Sequence, residues 1–121
     1  MEHLYKRNKP SQRQLQVGVS IHRAVIEAIQ MNEILYSKFF NVSFLGVRMN
    51  SGLKQANIMF STTGNAKNIK NELNQMSGYF RKIIGNSLKL RFVPEIFFIY
   101  DNSAVQMEML EENLNKIKSY T

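Results

Sequence analysis

The sequence predicts a single α+β domain in which a three-stranded mixed sheet packs against helices. Three observations carry the prediction: a helical polar stripe early in the chain, a switch to period-two alternation over residues 42 to 60, and a return to helical spacing before a third short strand. A chain of 121 residues suits one hydrophobic core.

Ser11, directly after Pro10, is the expected N-cap of the first helix, and Gln14 three residues later completes a capping-box pattern. Gln16, Ser20, Arg23, Glu27 and Gln30 then recur at steps of four, three, four and three. Leu15, Val19, Ile21, Val25, Ile26 and Ile29 fill the other side, so residues 12 to about 31 read as an amphipathic helix with those apolar side chains inward. From residue 42 the period drops to two. Ser43, Leu45, Val47 and Met49 alternate with Val42, Phe44, Gly46 and Arg48, and Lys54, Ala56, Ile58 and Phe60 alternate with Gln55, Asn57 and Met59. Asn50-Ser51-Gly52 between the two runs makes them an antiparallel hairpin.

Thr62 to Asn65 breaks the chain and supplies a helix cap. Ile69, Leu73, Met76, Phe80, Ile83 and Ile84 resume helical spacing through residue 85, and Gly78 is expected to kink or divide that helix. Pro94 opens a third strand, Ile96 to Asp101. Ser103 with Gln106 then leads a C-terminal helix that turns Val105, Met109, Leu110, Leu114 and Ile117 inward. A crossover through the two middle helices makes the third strand parallel to a hairpin strand. The order α-β-β-α-α-β-α is that of the KH-like type II fold with one helix added at the end. Residues 1-121 therefore read as one KH-like domain, with residues 1-10 a flexible basic N-terminus.

Composition narrows the function. There is no cysteine, which excludes disulfides and thiolate-held zinc and suits a reducing, cytoplasmic setting. No run approaches the ~20 apolar residues of a membrane span, and the polar, basic N-terminus has no signal-peptide core. Sixteen Lys+Arg against nine Asp+Glu give +7, and a basic body points to a polyanionic partner such as nucleic acid. His3 and His22 lack metal-ligand spacing, and no nucleotide-binding or hydrolase motif occurs. Pairing Asp101 with His22 as a catalytic set carries no weight; Asp101 reads as a cap for the last helix. No cofactor, metal or small-molecule substrate is expected.

A KH module grips single-stranded RNA with a GxxG loop between its central helices. The glycines here fall at 18, 46, 52, 64, 78 and 85, no two of them three apart, so Ser77-Gly78 occupies the place of that loop. Gly78 has two readings: it permits two helices to pack closely, or it lets backbone N–H groups approach phosphate. Lys67 and Lys70 precede it, and Arg81, Lys82, Lys89 and Arg91 follow. Together with Arg13 and Arg23 on the first helix, these are the candidate RNA contacts. Phe92, Phe97, Phe98 and Tyr100 suggest a base-stacking platform, but they do not match the aromatic signature of an RRM sheet. Phe98 and Tyr100 read more simply as core or strand residues, with Phe97 on the opposite face, and most of the four are expected to be structural.

The run Ser77-Gly78-Tyr79-Phe80-Arg81-Lys82-Ile83-Ile84-Gly85, then Leu90-Arg91-Phe92-Val93-Pro94-Glu95-Ile96, then Phe98 and Tyr100-Asp101-Asn102-Ser103, resembles the ribosome-binding factor A family. Leu53, Ala56, Phe60-Ser61 and Gln12-Arg13 extend the likeness over most of the chain. It departs from the family pattern in three places. Met76 stands where alanine is usual, Ser37 to Asn41 lacks an Asp-Pro-Arg-like segment, and no long charged tail follows to Thr121. The resemblance implies a non-catalytic factor, monomeric when free, that binds the free small (30S) ribosomal subunit. It also implies contact with 16S rRNA near the decoding region and the precursor's 5′-end helix, help with late rRNA processing, and a link to growth in the cold. Two other classes stay open from the residues: a KH-like regulator of translation and a protein-interaction module.

Overall fold

The structure, a computed structural model, describes residues 9–103. The expected C-terminal helix and the N-terminal arm up to residue 8 lie outside the described residues. Within them the order is α1 (Gln12–Gln30), α2 (Glu33–Lys38), β1 (Val42–Met49), β2 (Gln55–Thr62), α3 (Ala66–Gln75), α4 (Ser77–Ser87) and β3 (Glu95–Tyr100). The sheet runs β1-β2-β3, with β1 antiparallel to β2 and β3 parallel to β2. The α+β class and the mixed sheet are as the sequence predicts. No described helix is long and apolar enough to cross a membrane.

The capping box at the start of α1 forms as expected, with the Ser11 side chain accepting from the Gln14 N–H and the Gln14 side chain accepting from the Ser11 N–H. The short α2 is an addition to the expected order. Asn32 caps it by accepting from the N–H groups of Ile34 and Leu35, and six residues are too few to show a period. In the hairpin turn the Asn50 side chain accepts from the N–H groups of Lys54 and Gln55. The left-handed residue there is Leu53 at φ 57°, not Gly52.

One face of the sheet meets the helices. Ala56, Ile58, Phe60, Ile96 and Phe98 are buried there against Ile21, Val25, Leu73, Phe80 and Ile84. The Phe80 and Phe98 rings tie α4 to β3 with centroids 5.3 Å apart. The other face carries Arg48, Asn57 and Phe97 in one cross-strand row.

Both edges of the sheet are closed by side chains, which is how exposed strand edges are kept from pairing with other chains. Along β1, α1 presents residues 14, 18 and 22, spaced one turn apart. Gln14 Nε2 donates to the Met49 carbonyl at 3.1 Å, and His22 Nε2 lies 2.6 Å from the Phe44 carbonyl. A carbonyl only accepts, so that nitrogen carries the proton. Between them Gly18 sits against the Val47 carbonyl. The edge-facing carbonyls shift from odd to even numbers because the register slips at Leu45, between Phe44 and Gly46. This bulge breaks the strict alternation expected in β1 and leaves Leu45 exposed. The expected inward face of α1 is also corrected. Ile21, Val25 and Ile29 are buried as expected, but Leu15 and Val19 are over half exposed, and Val17, Gly18 and Ala24 are buried as well. The β1 edge requires Gln14, Gly18 and His22 on the flank that Leu15 and Val19 extend, which turns those two to solvent.

A Cβ at Gly18 would stand 2.8 Å from the Val47 oxygen, a backbone atom that cannot move aside cheaply. Gly18→Ala is therefore expected to lower the melting temperature. The clash should cost about 1–3 kcal/mol, more than the roughly 0.5–1 kcal/mol that alanine gains over glycine within a helix. A melt at or above wild type would remove the close-approach account.

Candidate nucleic-acid interface

The opposite edge builds the candidate site. The side chains of residues 74, 77 and 81, on consecutive turns of α3 and α4, bond backwards along β3. Asn74 donates from Nδ2 to the Phe98 carbonyl at 3.2 Å and accepts from the Phe98 N–H at 2.9 Å. Ser77 Oγ donates to the Ile96 carbonyl at 3.0 Å. Arg81 donates from Nε to the Pro94 carbonyl at 3.1 Å and from its terminal nitrogen to the Val93 carbonyl at 3.2 Å. In a parallel strand alternate residues turn both backbone groups outward, and Asn74 satisfies both groups of Phe98. The α3–α4 junction is thereby fixed against the sheet.

The division between the two helices falls at Met76, the C-cap of α3 and N-cap of α4, not at Gly78 as expected. The Met76 side chain packs against the core while Asn74 and Ser77 hold the chain on either side of it. Gly78 is the second residue of α4, and a Cβ built there meets nothing within 4 Å among the described residues. Close packing between α3 and α4 is thus not what glycine serves at this position. The start of α4 has no side-chain cap. Its first-turn N–H groups, at the positive end of the helix dipole, lie under a residue with no side chain, an arrangement suited to an anion. Lys82, one turn on, shares that exposed face.

The other candidates divide by position. Arg13 and Lys89 come together from distant parts of the chain, lining with Gln16, Ser20, Leu88 and Leu90 a cleft of about 280 Å³ between α1 and the segment after α4. Arg91 is exposed in that segment, and Lys67 and Lys70 are exposed on α3. Arg23 is exposed on α1 one turn beyond Ser20 and does not itself line the cleft. The Ser77 hydroxyl donates to the backbone, and Arg81 commits two of its five N–H donors to backbone carbonyls, which fixes the guanidinium against the segment before β3. The one ion pair among the described residues is Lys38 with Glu72 at 3.9 Å. None of the candidate cations is therefore within ion-pair distance of a described carboxylate.

His22 and Asp101 are not partners. Asp101 accepts from the Ser103 hydroxyl and N–H. These bonds, the hydroxyl first, hold its carboxyl below the usual carboxylate range, and the Arg48 charge adds a smaller pull in the same direction.

Of the four aromatics expected to be mostly structural, Phe92 differs. Phe92 is 64% exposed, outside the core in which its apolar ring would place it. The alternation before it, with Leu88 and Leu90 packed inward and Lys89 and Arg91 pointing out, would turn Phe92 inward, and that alternation ends where Val93 packs on the core and Pro94 is buried.

The model of the family described as ribosome-binding factor A matches residues 13–114. A ribosome-binding factor A from Citrifermentans bemidjiense is 36% identical over 104 residues, which cover 84% of this chain and 87% of that one. The crystal structure of ribosome-binding factor A from Thermus thermophilus superposes with a TM-score of 0.64 at 14% identity, over 72% of this chain and 94% of that one. A homology model of the Thermus thermophilus factor, fitted into a cryo-EM map of its complex with the 30S subunit, superposes with a TM-score of 0.61 at 15% identity, over 74% and 96%. At these identities the two structural likenesses speak for the fold, and the sequence relatives speak for the family.

Proposed function

The chain belongs to the ribosome-binding factor A family, and from that premise we propose that it binds the free small ribosomal subunit and assists late maturation of 16S rRNA without catalysing a reaction itself. The observation that carries the reading is the uncapped start of α4 at the open Gly78, with Lys82 one turn on. The Arg13 and Lys89 cleft adds a second cationic contact. Phosphates of rRNA are the ligand that uncapped N–H groups and cations with no described carboxylate within ion-pair distance suit together. A fold relative placed on the 30S subunit supports the same partner. The factor works in the cytoplasm, is monomeric when free, and serves a subunit assembly step that slows in the cold.

Density-gradient sedimentation of a tagged form from cell extract tests this. The protein is expected with free small subunits and away from translating ribosomes. Binding should also weaken with salt: about six phosphate contacts give a slope of roughly −4 in log affinity against log salt, using the single-strand coefficient. Recovery at the top of the gradient in low salt, or on polysomes, would count against the proposal. A flat salt response would remove its electrostatic basis.

A further inference from the structure

The segment between α4 and β3 is braced from within. Leu88, Leu90 and Val93 pack against the core, Pro94 is fully buried, and Arg81 holds the carbonyls of Val93 and Pro94. Val93 also closes on Gly85, where a Cβ would stand 3.0 Å from its side chain. The side chains this bracing leaves outside are Lys89, Arg91 and Phe92. Arg91 sits over the Phe92 ring, its guanidinium carbon 5.5 Å from the centroid. Most of the ring's surface faces water on a segment that is otherwise fixed, and Lys89 belongs to the same cleft as Arg13.

We propose that Phe92 is a stacking platform for an unpaired base of single-stranded RNA, with Lys89 and Arg13 holding the neighbouring phosphates and Arg91 flanking the ring. This rests on the RNA-binding reading above and deepens it by naming the ligand as an unstacked nucleobase. An aromatic face takes any base, because every base has a π-face, and flanking cations track the backbone. Met31, Ile34 and Phe40 are comparably exposed elsewhere in the fold, so exposure alone does not single out Phe92. The cations beside it do.

The chain contains no tryptophan, so Phe92→Trp places a single indole fluorophore at the site. That variant is titrated with a short single-stranded RNA, with duplex RNA of the same sequence, and with purified small subunits. Emission is expected to fall in step with binding of the single strand and of the subunit, and not with the duplex. Phe92→Leu keeps apolar bulk without a π-face. It should melt as wild type does and bind the single strand about tenfold more weakly, the loss of one stacked base. Unchanged affinity for Phe92→Leu, or unchanged emission at saturation for Phe92→Trp, overturns the stacking site and leaves RNA binding standing. If the wild type binds neither single strand nor subunit, the RNA-binding reading itself fails and this proposal goes with it.

Discussion

Asn74→Ala is expected to give the largest loss of stability among single polar substitutions in the described fold. Phe98 is fully buried at the centre of β3, and both its outward backbone groups are satisfied by one side chain. Alanine leaves an N–H and a carbonyl unpaired at the sheet edge. Each orphaned group costs about 1–3 kcal/mol, so a loss of roughly 2–6 kcal/mol is expected for the two. In a domain of about a hundred residues that lowers the melting temperature by on the order of 10 °C or more. Amide exchange gives the finer readout. The Phe98 amide should lose protection beyond the global destabilisation, whereas Ile58, on the interior strand, should follow the global change. Asn74→Asp keeps the acceptor for the Phe98 N–H but sets a carboxylate against its carbonyl, and should also destabilise. Melts indistinguishable from wild type for both variants would show that the edge does not depend on Asn74.

That dependence also marks where the sequence stops being legible. Strand and helix positions follow from spacing: the stripe from Gln16 to Gln30, the alternation through Ala56, Ile58 and Phe60, and the apolar steps from Ile69 to Ile84 each mark an element that forms. What a polar residue does on such an element depends on what docks against it. Ser77 and Arg81 beside a glycine read as phosphate contacts, yet both turn to the backbone of residues well beyond them in the chain. His22 shows in the sequence only as a histidine on the first helix without metal-ligand spacing, yet its ring bonds a carbonyl of β1. In each case the partner is a main-chain group, which has no residue type to recognise. The same reasoning explains the junction. Glycine is the visible breaker, but the break falls at Met76 because Asn74 and Ser77 are tied to one strand at alternate residues, Phe98 and Ile96. Arg13 and Lys89 could be chosen as cations from sequence, while their meeting in one cleft follows only from how α1 packs on α4.

The strongest functional effect is expected at Gly78, and here the structure separates size from charge. At Gly18 an added Cβ strikes a carbonyl; at Gly78 it meets nothing within 4 Å among the described residues. Gly78→Ala should therefore raise stability by about 0.5–1 kcal/mol, the usual gain over glycine in a helix. Gly78→Asp should fold as well, since a carboxylate in the first turn interacts favourably with the helix dipole. The same carboxylate occupies the anion position and repels phosphate. Losing one charge-assisted hydrogen bond of ~1.5–3 kcal/mol weakens subunit binding by at least about tenfold. Lys82→Glu, on the same exposed face, should act in the same direction without lowering the melt. Arg81→Glu is not a comparable charge reversal, because it releases the Val93 and Pro94 carbonyls and should lower the melt as well as the affinity. The decisive comparison is alanine against aspartate at position 78, by subunit binding and thermal melting together. Binding retained by Gly78→Ala and lost by a fully folded Gly78→Asp places phosphate at the start of α4. Equal, near-normal binding by both moves the contact to the Arg13 and Lys89 cleft, where charge reversal at either residue should then produce the loss expected of Gly78→Asp.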